Sequence, residues 1–316
     1  MKLRLGAQGG VLVVAALTAT TAAAQVAAPP AAYSVGAAFD AARGRLVVFG
    51  GFAAGRYVGD TWEWDGATWA RRASPGPSAR NGPALVYDEK QQRVLMFGGD
   101  ARPVGDLADL WERVGDQWRP LSGPGPSART AHLMVYDTGR DRVVLFGGIA
   151  AGAGLGDTWE FDGSSWARVA TDGPSPRGLY AMAYDAGRGR TVLFGGTPAP
   201  GPDAPVFADT WEWDGRAWSR MDVAGPSARD HVQMAYDPAR HAVVLHGGGD
   251  GAAATETWTF NGRAWTRLAF AGPERRDARM VFDARSQAVL LYGGFDQQPS
   301  NEVWRLGETG WRRVPP

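Results

Sequence analysis

A closed ring of six four-stranded antiparallel sheets, all-β and without a substantial helix, is the fold this sequence predicts, and three observations predict it. The first is a repeat. RLVVFGG, RVLMFGG, RVVLFGG, RTVLFGG, AVVLHGG and AVLLYGG end at Gly51, Gly99, Gly148, Gly196, Gly248 and Gly294, in steps of 48, 49, 48, 52 and 46 residues. The second is the constant content of each unit. A Tyr or Phe followed by Asp and a short turn precedes every glycine pair (FDAARGR, YDEKQQR, YDTGRDR), and a tryptophan-bearing segment such as DTWEWDGATW or EVWRLGETGW follows it. The third is the lack of any 3.6-residue apolar period, which leaves short apolar runs bounded by Gly, Asp and Pro as the only regular signal. Repeats near fifty residues that cannot bury two apolar faces alone stack radially, which gives a six-bladed β-propeller.

Taken in chain order, MKLRLGAQGGVLVVAALTATTAAAQ sets Lys2 and Arg4 before an apolar stretch and Ala22, Ala23 and Ala24 before Gln25. That is the anatomy of a secretory signal peptide over residues 1–24. Gly9, Gly10 and the threonines interrupt it too often for a span of about 20 apolar residues. Residues 25–32 read as a short linker, and the blades fall at about 33–74, 80–122, 129–171, 177–222, 229–269 and 275–316. Within a unit, HLMVY, a turn opened by Asp137, RVVLF, a variable loop, TWEF, a DGSS turn and WARV supply four locally joined strands. Aspartate caps such turns through its side chain and glycine supplies positive φ. No strand is left to be exchanged between the termini, and Pro29 and Pro30 resist sheet pairing, so the ring is expected to close by side-chain contact between blades one and six.

This pattern resembles the kelch repeat, and the resemblance covers residues 33–316. It implies a propeller similar to the central domain of galactose oxidase. Those secreted copper enzymes need a tyrosine cross-linked to cysteine, and this chain has no cysteine, so the resemblance carries the fold without the copper-site residues. Six-bladed sialidases are excluded by the DGATW, DGSSW and DGRAW turns, which place Gly directly after Asp.

Composition narrows the function further. Basic and acidic residues balance at 33 each, and removal of Lys2 and Arg4 leaves a mature chain near −2, so neither nucleic acid nor an anionic membrane surface is an implied partner. The absence of cysteine removes disulfides, thiolate catalysis and cysteine metal sites. No HExxH, G-x-S-x-G or phosphate-loop pattern occurs. The glycines of IAAGAGLG, residues 149–156, have the wrong spacing for a dinucleotide loop and lead into no helix; as a rim loop their small side chains suggest a gap.

Because the units repeat, they can be aligned on one another. Arg80, Arg129, Arg177, Arg229 and Arg275 share one register, and Asp60, Asp109, Asp157, Asp209 and Glu256 another, as blade-to-blade ion pairs or backbone bonds require. Trp64 and Trp213 are extra to the repeated tryptophans and are the ones expected to be exposed. His246 replaces the aromatic before a glycine pair and reads as a satisfied, half-buried ring, whereas His241 lies in an exposed turn. Individual residues cluster just after the recurring arginine, where each innermost strand begins: Tyr33, Asn81, His132, Tyr180, Asp230, His231, Arg276, Asp277 and Arg279 are the candidate ligand-binding residues of a funnel rim. Up-and-down topology puts them on the same rim as the variable loops after the glycine pairs, an arrangement suited to binding. Each is equally compatible with lining a hydrated channel. No catalytic residue, metal site or cofactor is assigned. The expected function is a noncatalytic recognition or scaffold module, monomeric, bacterial and secreted or periplasmic, that binds a protein, peptide or glycan without inserting into a membrane. The rival is a carbohydrate-active enzyme or sugar isomerase using Asp230, His231 and Asp277, which needs an acid and a base about 5–9 Å apart.

Overall fold

The computed structural model describes residues 28–315 apart from 74, 202 and 250, so the leader expected at 1–24 lies outside the described residues. Six four-stranded antiparallel sheets follow one another along the chain, each in simple meander order. Their innermost strands are Gly36–Asp40, Ala84–Asp88, Leu133–Asp137, Ala181–Asp185, Gln233–Asp237 and Arg279–Asp283, and each contacts the next to close a ring. The sole helical element among the described residues is the 3-10 turn Gly251–Thr255. No helix there is long and apolar enough to cross a membrane.

The second strands, Arg45–Phe49, Arg93–Phe97, Arg142–Ala150, Arg190–Phe194, Ala242–His246 and Ala288–Tyr292, are buried on both faces. Their continuous apolar sequence follows from that position, since every sheet is covered by a neighbour on each side. The core accordingly lies in the seams: Leu95 and Phe97 of blade two pack with Met134, Val143, Leu145 and Phe161 of blade three. At the closing seam Val48, Trp64 and Trp69 meet Leu290, Tyr292 and Val303. To this expected side-chain closure the structure adds a backbone latch. Ala32 N–H donates to Ser300 O at 3.2 Å, and the Asn301 side-chain amide to Pro29 O at 2.8 Å.

Each glycine pair leaves its sheet at positive φ, and a side chain would strike the next blade from the first glycine and the entry of the pair's own inner strand from the second. A Cβ on Gly147 (φ 51°) would lie 2.7 Å from Arg177 O, and one on Gly148 (φ 106°) 2.8 Å from the His132 Cβ. The buried aspartates that end the inner strands accept turn amides, as Asp137 does from Gly139 and Arg140 at 3.0 and 3.1 Å. Hydroxyls of Tyr87, Tyr136 and Tyr184 accept an amide from the preceding blade's turn, tying neighbours together on this face.

Tryptophans and arginines explain the repeat. Outer-strand Trp118, Trp218, Trp265 and Trp311 each donate an indole N–H to a threonine hydroxyl of the preceding blade, Thr61, Thr158, Thr210 and Thr257, at 2.8–2.9 Å. Blade two has Leu110 in place of that threonine, and the Trp166 nitrogen is left without a partner among the described residues. Trp64 and Trp213, expected to be exposed, are instead 2% and 1% exposed. They stack on the outer-strand Trp69 and Trp218 of their own sheets, inside the seams. The recurring arginines pair with acids of their own blade and not of the next: Arg80 with Asp109, Arg129 with Asp157, Arg177 with Asp209, Arg229 with Glu256 and Arg275 with Glu302. The link between blades is made by the same residues' backbones, as when Arg177 accepts from Gly148 N–H and donates to Leu155 O, both at 2.9 Å. Blade one has Ala32 at this register, and its Asp60 pairs instead with the half-exposed outer-strand Arg71.

Candidate functional site

Just before each inner strand the backbone turns through the left-handed region. Ser34, Gly82, Ala131, Leu179, His231 and Asp277 have φ between 51° and 62°, one residue per blade. For the five that are not glycine this conformation costs roughly 1–2 kcal/mol each. They hold it because their backbones bond to one another around the channel mouth. Gly82 N–H donates to Ser34 O (2.8 Å), Leu179 to Ala131 O (3.0 Å), His231 to Leu179 O (2.8 Å), Asp277 to His231 O (3.3 Å) and Ser34 to Asp277 O (3.4 Å). Blade-to-blade hydrogen bonds thus impose local strain on a ring of residues, and such strain often marks a functional position.

Above this ring opens a funnel of about 600 Å³. Four loops wall one side of it, each braced on the next. The Tyr57 hydroxyl donates to Asp100 Oδ2 at 2.6 Å, Ala151 N–H to Asp106 Oδ2 at 3.1 Å, and Gly154 N–H to Pro198 O at 2.7 Å. IAAGAGLG is therefore no gap. Strands Arg142–Ala150 and Ala153–Phe161 run on through it as one tall hairpin, with a bulge at the glycine pair. Glycine and alanine serve here because the hairpin lies against the blade-four loop, where a Cβ on Gly154 would meet Pro198 O at 2.8 Å.

At its floor the funnel is chemically one-sided. At the left-handed ring, blades two to four present Gly82, Ala131 and Leu179, whereas blades five, six and one present His231, Asp277 and Ser34. Two residues further on, Leu133 faces the channel on the first side, and Gln233 and Arg279 on the other. At the seam of blades six and one the half-buried rings of Tyr57, Phe52, Tyr33 and Phe295 touch in sequence, with centroids 5.4–5.7 Å apart.

The nine candidate residues occupy this end of the molecule but not equivalent places. Tyr33, Asn81, His231, Asp277 and Arg279 line the funnel, and Arg276 lines a side recess with Tyr33, His231, Asp277 and Phe295. Asp230 stands behind His231, with Oδ1 2.9 Å from the ring Nδ1. His132 and Tyr180 reach the funnel wall from within the seams, each 1% exposed. The Tyr180 hydroxyl donates to Phe146 O and accepts from Leu133 N–H, which ties it to blade three. Neither ring nitrogen of His132 has a hydrogen-bond partner among the described residues, and burial pushes its pKa down to about 3, so the ring is neutral. His246 proves fully buried and doubly bonded, to the Thr257 hydroxyl and Pro273 O, both at 2.9 Å. Tyr57, Asp100, Arg102, Asp106, Gln233, Phe52 and Phe295 carried no residue-level signal in the sequence. The loop variability pointed to their neighbourhood alone.

Electrostatics centre on His231. Its Nε2 is 3.7 Å from Asp277 Oδ2, while the short contact from Nδ1 to Asp230 is not aligned as a hydrogen bond. Burial opposes the charged ring, but Asp277 and Asp230 outweigh it and raise the pKa. Asp230 is held low against its own burial by His231. Tyr33 is raised by burial and then by Asp277, and Tyr57 is pushed up to about 12 by burial and its bond to Asp100, so both phenols stay protonated. Arg279 is buried enough to depress its pKa; it donates to Ala278 O at 3.0 Å and has no carboxylate within ion-pair distance among the described residues. No group of three or more His, Cys, Asp or Glu there is placed to hold a metal ion.

A pH prediction follows from the sign of the His231 shift. A raised folded pKa means that the stabilisation is fully present below the unfolded value of about 6.5 and is lost as pH rises through the folded pKa. Denaturant midpoints of wild type should therefore fall over that window, and those of His231→Gln should fall less. Parallel curves for the two proteins would remove His231 as the source.

Residues 114–294 match the KLHDC2/KLHL20/DRC7 Kelch-repeats domain. No match to a curated protein was found.

Proposed function

The chain belongs to the Kelch-repeats domain family, and from that premise, with a propeller fold consistent with protein interaction, we propose that it is an exported, noncatalytic recognition module. It binds a protein, peptide or glycan through the funnel rim, in the periplasm or outside the cell. One observation carries this reading. The two mouths of the channel are built differently: one repeats the same aspartate turn, and the other combines a braced loop wall with a different residue from every blade. Individual residues on a regular scaffold are how repeat proteins make a binding surface. Export rests on the leader-like residues 1–24.

Selection from displayed peptide and glycan libraries tests it. Enriched ligands should bind at least about tenfold more weakly, roughly 1.4 kcal/mol, to Asp277→Ala, and with unchanged affinity to Glu89→Ala in the opposite mouth. Equal loss in both variants, or loss in Glu89→Ala alone, rejects the rim as the site. The rival, a carbohydrate-active enzyme or sugar isomerase, draws on the Asp230, His231 and Asp277 group. It requires turnover of a sugar substrate that disappears in His231→Ala.

A further inference from the structure

We propose that the recess of about 180 Å³ at the seam of blades six and one is a subsite for one neutral sugar residue. The proposal rests on the funnel rim being the recognition surface and names the chemistry taken there.

Tyr33 and Phe295 form an aromatic corner on one side of the recess, and His231, Arg276 and Asp277 form the other. An aromatic corner in contact with Phe52 has no role as a hydrated channel lining, because water gains nothing from a ring face. It calls for a ligand with C–H or π surface. The polar side excludes a wholly apolar ligand, since burying a carboxylate and a guanidinium without replacing their water is costly. It also argues against a charged one. The Asp277 carboxylate and the Arg276 guanidinium line the same recess, so an added anion or cation meets a like charge on entering.

What remains is a neutral group with an apolar face and several adjacent hydroxyls. A pyranose ring has both. Its hydroxyls donate and accept, and the recess supplies the Asp277 carboxylate and the Arg276 guanidinium of blade six beside the His231 ring of blade five. A peptide amide presents one donor and one acceptor in a plane and leaves the ring corner unused.

Titration of the full-length mature protein with methyl glucoside, methyl galactoside, methyl mannoside and methyl N-acetylglucosaminide, followed by NMR shifts, tests the assignment. At least one should bind saturably and perturb Tyr33 and Phe295, with glucuronate and glucosamine weaker. Tyr33→Ala should weaken that binding at least about tenfold, on the order of an aromatic contact plus its buried area. Phe295→Leu, which keeps the apolar bulk but not the ring, should weaken it in the same direction if Tyr33→Ala fails to fold. Tighter binding of a charged sugar, unchanged affinity in Phe295→Leu, or no binding by any of the four glycosides overturns the proposal. If the glycosides fail while displayed peptides select the funnel and lose it in Asp277→Ala, the sugar subsite falls and the recognition reading stands. If both fail, the recognition reading falls as well.

Discussion

Arg177→Ala lowers the stability of the folded protein by about 3–5 kcal/mol, read as a drop in the urea midpoint at neutral pH with little change in slope. The side chain is completely buried and every arm is used. Nε donates to Ser175 O at 2.9 Å, Nη1 to Gly195 O at 3.0 Å and Asp209 Oδ1 at 2.6 Å, and Nη2 to Asp209 Oδ2 at 3.0 Å. The guanidinium carbon also lies 3.9 Å from the centre of the Phe207 ring. Truncation strands a largely buried carboxylate and two carbonyls at once, and it is this loss of partners, more than the worth of the pair, that sets the magnitude. Arg177→Lys keeps the charge but not the fork, and should recover only a minor part. Asp209 gives an independent check. Burial raises its pKa, but Arg177 outweighs burial and lowers it, so the pair's contribution is present above the unfolded carboxylate value of about 3.9 and is lost as pH falls through the folded one. Acid sensitivity from this source should vanish in Arg177→Ala. A cost below about 1 kcal/mol, typical of an exposed pair, would show that the buried fork is not what holds the blade mouth.

Trp218→Ala is expected to cost a similar amount, about 3–5 kcal/mol, for a different reason. The indole is 9% exposed and fills the seam between blades three and four. Its ring centroid is 5.3 Å from Phe146 and 5.6 Å from Trp213, and its N–H donates to the Thr158 hydroxyl at 2.8 Å. Truncation leaves a cavity between two rigid sheets that cannot close around it. Trp218→Phe separates the two contributions. It retains most of the packing and loses the hydrogen bond, so about 1 kcal/mol of the loss should remain, and equal costs for the two variants would contradict a packing origin.

Much of the fold was legible because a propeller repeats its own solution. The glycine pairs, the Asp turns and the Arg and Asp registers appear in nearly every unit, so structural demands separate from individual residues without any other sequence for comparison. Partner choice was not legible. The recurring registers of Arg129 and of Asp157 are compatible with pairing inside a blade or across a seam, and only the packed sheets show that the side chain serves its own blade while the backbone serves the neighbour. Trp64 and Trp213 were misread for the same reason: being extra to the repeat says nothing about which face of the third strand they occupy.

At the candidate site, the starts of the inner strands could be singled out as a set, and blades five and six as its charged portion. The strained ring could not. Leu179 carries no residue signature for a left-handed backbone, and it adopts it because the Ala131 carbonyl of the adjacent blade accepts its amide. The height of the 149–156 hairpin was hidden too, since small residues read alike in a gap and in a tight contact with Pro198.

By itself, then, the sequence determined six blades, their strand order, their turns and the rim on which individuality collects, because each depends on local periodicity and on residues with intrinsic turn preferences. Only the tertiary structure decided which arginine arm meets which acid, how Ala32 latches the ring, and which loops wall the funnel. Those features arise between segments far apart in sequence, where geometry and exclusion of water select among partners that composition leaves equivalent.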